Sequence, residues 1–175
     1  ATVVVKTQDI SEFVLQMEKI QFNLVEEYRL LEPDLTIETQ ILDPPQMVMA
    51  PKDQTAFINA VYATHNGVYR MSPAIEGLVE TSNNIAKISV KDATLKIECL
   101  TRSSVDSSKD DMAATLTSVF ELAGYYVDCS GHYPGWAPNM DSAILQVVES
   151  LYISLHGEKP NVAACHAGLE CGILG

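Results

Sequence analysis

The sequence predicts an α+β fold of ferredoxin-like character, in which β-α-β units lay their helices on one face of a largely antiparallel sheet. Three observations lead there. Residues 2–6 are mostly β-branched and residues 35–41 alternate apolar with polar, and the two bracket a long amphipathic helical stretch. Two alternating runs then flank Lys91-Asp92-Ala93, as the arms of a hairpin do. A second helical stripe and a short apolar run at 125–129 follow, so the second unit reads β-β-α-β.

Taken in order, the first helix is expected to start at Asp9, whose side chain is placed to cap it with Glu12 as the capping-box partner. Ile10, Phe13, Val14, Met17, Ile20, Leu24, Val25, Tyr28 and Leu31 recur at helical spacing, and Pro33 closes the run. Pro44-Pro45 breaks the pattern; a short helix over 53–65 ends at the turn signal Asn66-Gly67, and 72–77 reads as loop. In the hairpin, Ala86, Ile88 and Val90 face one way on the first arm, and Leu95, Ile97 and Cys99 on the second. Ser107 is then placed to cap a helix with the apolar face Met112, Leu116, Val119, Phe120 and Ala123, which Gly124 stops. The Pro/Gly cluster at 131–139 marks a boundary, so the division expected is 1–131, a connection at 132–140, and 141–175. In the last part Asp141 caps a helix carrying Ile144, Leu145, Val148, Leu151, Tyr152 and Leu155, and 162–165 reads as a short strand. A lone helix and strand cannot bury both their faces, and they call for a sheet that this stretch does not supply.

Composition narrows the function classes. Over 175 residues the apolar share is 47% and the charged share 19%, which are those of an ordinary globular protein. The net charge of -12 and pI near 4.6, with only eleven scattered Lys and Arg, exclude a nucleic-acid partner. Apolar runs are too short to span a bilayer and the start is too short for a signal-peptide core, so the expectation is a cytoplasmic protein with no membrane partner. The four cysteines show no Cys-x-x-Cys pair and read as buried reduced thiols. Cys165, His166 and Cys171 lack a fourth zinc ligand, so no metal site is assigned to them.

The end of the chain, His166-Ala167-Gly168-Leu169-Glu170-Cys171-Gly172, is built as a site loop, since glycine lets a backbone approach a ligand. Together with Asn66-Gly67-Val68, Gly77-Leu78-Val79-Glu80-Thr81-Ser82, Cys99-Leu100-Thr101-Arg102-Ser103-Ser104 and Tyr133-Pro134-Gly135-Trp136, it resembles the aminoacyl-histidine dipeptidases, di-zinc enzymes of the carnosinase type. The resemblance runs from residue 66 to the end; the first 65 residues follow it only in pattern. It implies that the chain is a piece of such an enzyme: the later part of an inserted lid domain over 1–131, then the return into the catalytic domain over 141–175. It also implies two zinc ions, held by His, Asp and Glu motifs lying outside this chain, with a Glu as general base. The fragment is accordingly expected to carry no catalytic residue and no metal ligand, and to be inactive alone.

Arg102 shares strand parity with Lys96, Glu98 and Leu100, opposite Leu95, Ile97 and Cys99, and so faces away from the core helices. On the residues alone, an exposed Arg in so acidic a chain is a surface ion-pair partner. The resemblance instead implies that Arg102 binds the C-terminal carboxylate of a dipeptide, which suits a permanently charged bidentate fork. It likewise implies that His166, Gly168 and Glu170 line the substrate pocket. Asn66 is explained as a turn, Trp136 as an aromatic anchor at a hinge, and Asn84 carries a weaker signal. His65, His132 and His156 fall at turns or helix ends, where the imidazole is satisfied or exposed, and Thr81-Ser82 has no His and Asp at triad spacing. The partners expected are the dipeptide, the rest of the catalytic domain in the same chain, and a second copy in a homodimer. The rival reading is a free-standing ferredoxin-like module for effector binding or dimerisation, suited by the acidic surface and a self-complementary sheet edge.

Overall fold

The computed structural model describes residues 2–164, and the chain divides into two compact units, Ala1–Ala50 and Pro51–Gly175. In the first unit a short 3-10 turn, Thr7–Asp9, leads into helix α1, Ile10–Tyr28. Ile10, Phe13, Val14, Met17, Leu24 and Val25 form its half-buried stripe, as their spacing predicts, whereas Ile20, Tyr28 and Leu31 are exposed. The expected capping box does not form. Asp9 N–H is already tied to Lys6 O at 2.9 Å by the 3-10 turn, and its φ of −100° and ψ of −1° are helical, whereas an N-cap needs extended backbone. The helix stops where Leu31 and Glu32 N–H turn back onto Tyr28 O, at 2.9 and 2.7 Å. The segments 2–6 and 35–41 join no ladder, because the sheet among the described residues has three strands, all in the second unit. β-Branched residues favour a strand, but a strand exists only where a neighbour takes its backbone groups.

The second unit opens with α2, Pro51–Ala63, where Pro51 occupies the first helical position that tolerates a missing N–H. Strands β1 (Gly67–Met71), β2 (Val79–Lys91) and β3 (Thr94–Ser103) form an antiparallel sheet in that order. β1 has no alternation to betray it: all five residues are exposed. The hairpin forms where expected, with Asp92 and Ala93 at φ of 51° and 57° in a two-residue turn of the type that matches strand twist. A register shift between Ile85 and Lys87 leaves Ala86 as an extra residue, so Ile85 opposite Cys99 and Ile88 opposite Ile97 share one face.

Helix α3, Asp106–Leu122, lies on β2 and β3, and α2 packs against α3. Its start is two residues earlier than Ser107 as a cap suggests. Val105 is the N-cap, and Ser103 Oγ accepts its N–H at 3.1 Å, so Ser107 lies inside the helix. At the other end Gly124 takes a φ of 86° and Tyr125 N–H reaches Phe120 O at 2.9 Å, closing the helix as a glycine at that position should. Met112, Leu116 and Phe120 are buried as predicted and, with Ala60 and Leu78, form the apolar core. Beside them lie buried polar groups: Thr64, Glu80, Thr81, Asn83, Ser103 and Lys109. The run at 125–129 forms no strand, and its Cys129 is exposed, whereas Cys99 is half-buried and its thiol is pushed up by burial. Last comes α4, Ala143–His156, whose N-cap is Ser142 and not Asp141; Ile144, Val148, Leu151 and Leu155 stay exposed on it, and 162–164 forms no ladder. No described helix is long and apolar enough to cross a membrane.

Candidate functional site

The outer face of the β2–β3 ladder is the surface on which Arg102 sits. Pairing sets Lys96 opposite Ser89, Glu98 opposite Lys87, Leu100 opposite Asn84 and Arg102 opposite Ser82. At the hairpin end the charges neutralise one another, with Lys96 Nζ 2.7 Å and Lys87 Nζ 4.0 Å from Glu98. The Lys96 ammonium holds the Glu98 carboxyl below the usual range. At the far end the arrangement differs. Arg102 is exposed and has no ion-pair partner among the described residues. The surface ion pair that composition alone suggests for it is therefore absent among those residues. Exposed Asn84 stands on the same face, two positions along β2 from Ser82. This end of the ladder thus presents a guanidinium fork and an amide, the donors that recognise a carboxylate.

The strand end bearing Arg102 is held firmly from behind. Thr81 and Ser103 hydroxyls hydrogen-bond at 2.8 Å in the buried layer, and Ser104 N–H donates to Glu80 O at 3.1 Å. Buried Glu80 accepts from Ser108 Oγ at 3.1 Å and faces Arg70 Nε at 3.3 Å, which ties β1, β2 and α3 together. Asn66 Oδ1 accepts Ile85 N–H at 2.8 Å and Asn83 Nδ2 donates to His65 O at 2.7 Å, so Asn66 does more than make a turn: it holds β2 at its bulge.

A second cluster follows β3 directly. Asp106 Oδ1 accepts from Lys109 Nζ at 2.7 Å and from Gly135 N–H at 2.8 Å. Lys109 Nζ also donates to Tyr133 O and lies 5.5 Å from the Tyr133 ring centre. The Lys109 hydrogen bond and the Gly135 N–H hold the Asp106 carboxyl below the usual aspartate range. Sequence spacing contained the Asp106–Lys109 pair, at i and i+3, but nothing pointed to its loop partner.

Other candidates fall elsewhere. His166, Gly168 and Glu170, like Cys165 and Cys171, lie outside the described residues. His65 corrects its expectation: it is half-buried, edge-on to Tyr69 at 5.3 Å, and its Nε2 is buried with no hydrogen-bond partner among the described residues. His132 and His156 are exposed, and Trp136 is 46% exposed. A depression of about 410 Å³ between β1 and the start of α3 is lined by Tyr69, Arg70, Ser107, Ser108 and Asp111, but its Arg70 is already engaged by Glu80. Among the described residues no group of three or more His, Cys, Asp or Glu is placed to hold a metal ion. They do not fit a zinc site.

No protein-family model matches the chain. It is 34% identical over 174 residues to the cytosol non-specific dipeptidase of Escherichia coli (strain K12), a match taking in 99% of this chain and 36% of that protein. The crystal structure of aminoacylhistidine dipeptidase from Vibrio alginolyticus matches with a TM-score of 0.91 and 36% identity, over 97% of this chain and 34% of that one. The chain therefore matches these dipeptidases over nearly its whole length while spanning about a third of theirs.

Proposed function

We propose that this chain is the lid-bearing part of a longer cytosolic zinc dipeptidase that hydrolyses unblocked dipeptides ending in histidine, of the carnosine type. The near-full-length likeness to two dipeptidases, one named for the cytosol, supports the family reading. The observation that carries the residue-level reading is Arg102, a guanidinium with no carboxylate partner among the described residues, on a face where neighbouring charges are paired. In this proposal residues 1–131 are lid, 132–140 connect, and 141–175 return to the catalytic domain, which supplies the two zinc ions and the bond-breaking chemistry.

The role of this part is binding and orientation. Arg102 grips the substrate's terminal carboxylate through two parallel hydrogen bonds from its planar guanidinium fork. Asn84 adds an amide donor from the same face, and His166, Gly168 and Glu170 line the pocket from the catalytic side. Holding the far end of the dipeptide turns remote binding energy into correct placement of the scissile bond.

Purified full-length protein tests this. It is expected to cleave β-alanyl-histidine and related free dipeptides, to spare N-blocked dipeptides, and to lose activity on chelation with recovery on zinc addition. The 175-residue chain alone is expected to cleave none of them. Activity of the full-length protein on N-blocked peptides or tripeptides alone contradicts the proposal.

A further inference from the structure

We propose that Lys109 is a positioning residue for Arg102, acting through a clasp that locks residues 133–135 onto the turn leaving β3. The inference rests on the carboxylate-binding role given to Arg102 above. Lys109 is only 7% exposed, and a buried ammonium is tolerated only where its hydrogens are met. Here they are met by Asp106 in the same helix and by the backbone of a loop 24 residues away, with an aromatic face alongside. Two acceptors and a ring face thus enclose the ammonium, and the side chain acts as a tie.

Gly135 completes the tie by close approach. A Cβ there would lie 2.6 Å from Ser104 O and 2.7 Å from Ser104 C, so the two backbones touch where no side chain fits. Ser104 is in turn fixed by Glu80 O, and Ser103 by Thr81. Arg102 is the residue just before this doubly held turn, and displacing the loop shifts the backbone from which its fork extends. Further on, Asn139 makes local ties: Asp141 N–H donates to Asn139 Oδ1 at 3.0 Å and Ser142 N–H to Asn139 O at 3.3 Å. Residues 133–135 are therefore tied to the strand end that carries Arg102.

The test uses the full-length enzyme carrying Lys109→Met, with Lys109→Arg as the conservative variant, assayed on a dipeptide and on its C-terminal amide, with and without Arg102→Met. Misplacing the fork is expected to raise KM for the dipeptide about tenfold in Lys109→Met with kcat little changed, and Lys109→Arg to recover most of the loss. In the Arg102→Met background the same substitution should change nothing, and the amide should be handled alike by all variants. An equal loss on amide and dipeptide, or the same factor in both backgrounds, makes Lys109 merely structural and overturns the proposal. If Arg102→Met by itself leaves dipeptide turnover intact, the carboxylate reading is at fault and the positioning role falls with it. Should Lys109→Met not fold, hydrogen exchange of the wild-type enzyme decides: the Gly135 amide should exchange at least about 100-fold more slowly than those of Ala137, Asn139 and Met140. Comparable rates overturn the clasp.

Discussion

Asp106 serves two donors with one carboxylate oxygen, and its chemistry gives the clasp a pH signature. Because both donors stabilise the anion, its folded pKa lies below the unfolded one. Its contribution to stability is thus complete above the ordinary aspartate value and is lost as pH falls through the depressed one. Melting curves of full-length wild type and Asp106→Asn should differ by a steady margin from about pH 7 to pH 5, and the margin should shrink only in stronger acid. A margin that persists undiminished at the lowest pH contradicts the assignment. Gly135→Ala drives a methyl into the Ser104 backbone and should cost about 1 to 3 kcal/mol, read from denaturant unfolding; a neutral outcome means that the two backbones are not held together. Strand parity alone was enough to put Arg102 on the outer face. The clasp was hidden in the sequence because an i, i+3 Asp–Lys pair on a helix reads as solvated, and burial of Lys109 is decided by a loop 24 residues distant.

The hairpin shows which elements sequence reveals and which it conceals. Alternation announced both arms, and α1 and α3 followed from their apolar stripes, since period and burial agree there. β1 escaped because an edge strand exposed on both faces carries no alternation, and the segments 2–6, 35–41 and 125–129 misled because propensity supplies no partner strand. Caps were the least legible: at Asp9 and Ser107 the residue type suits a cap, but the backbone conformation or the helix boundary lies elsewhere. In the hairpin turn, Ala93 sits at a φ of 57°, a region costly for any residue with a Cβ. Ala93→Gly should therefore stabilise the protein by about 0.5 to 1 kcal/mol after its entropic cost, measured as a rise in denaturant midpoint at unchanged slope. A lower midpoint would mean that the turn is not left-handed at this position.

In the proposed reading the chain as a whole supplies recognition; among the described residues there is no metal-binding cluster. The 175-residue chain is expected to retain no stoichiometric zinc after dialysis; about one tightly held ion per chain would show that Cys165, His166 and Cys171 find the ligand their spacing lacks. The exposed apolar side chains of α4, Ile144, Val148, Leu151 and Leu155, suit a helix that packs on further protein, in keeping with a chain that spans about a third of its relatives. The claim on which this account turns is that Arg102 holds a substrate carboxylate. Its most direct test compares kcat/KM of full-length wild type and Arg102→Met on a free dipeptide and on the same dipeptide amidated at its C-terminus. Loss of a charge-assisted contact of about 2 to 4 kcal/mol predicts a fall of roughly 30- to 1,000-fold on the free dipeptide, with the amide handled about equally poorly by both enzymes and the melting temperature unchanged. Unchanged turnover of the free dipeptide, or a sharp drop in melting temperature, would contradict it and make Arg102 a structural residue.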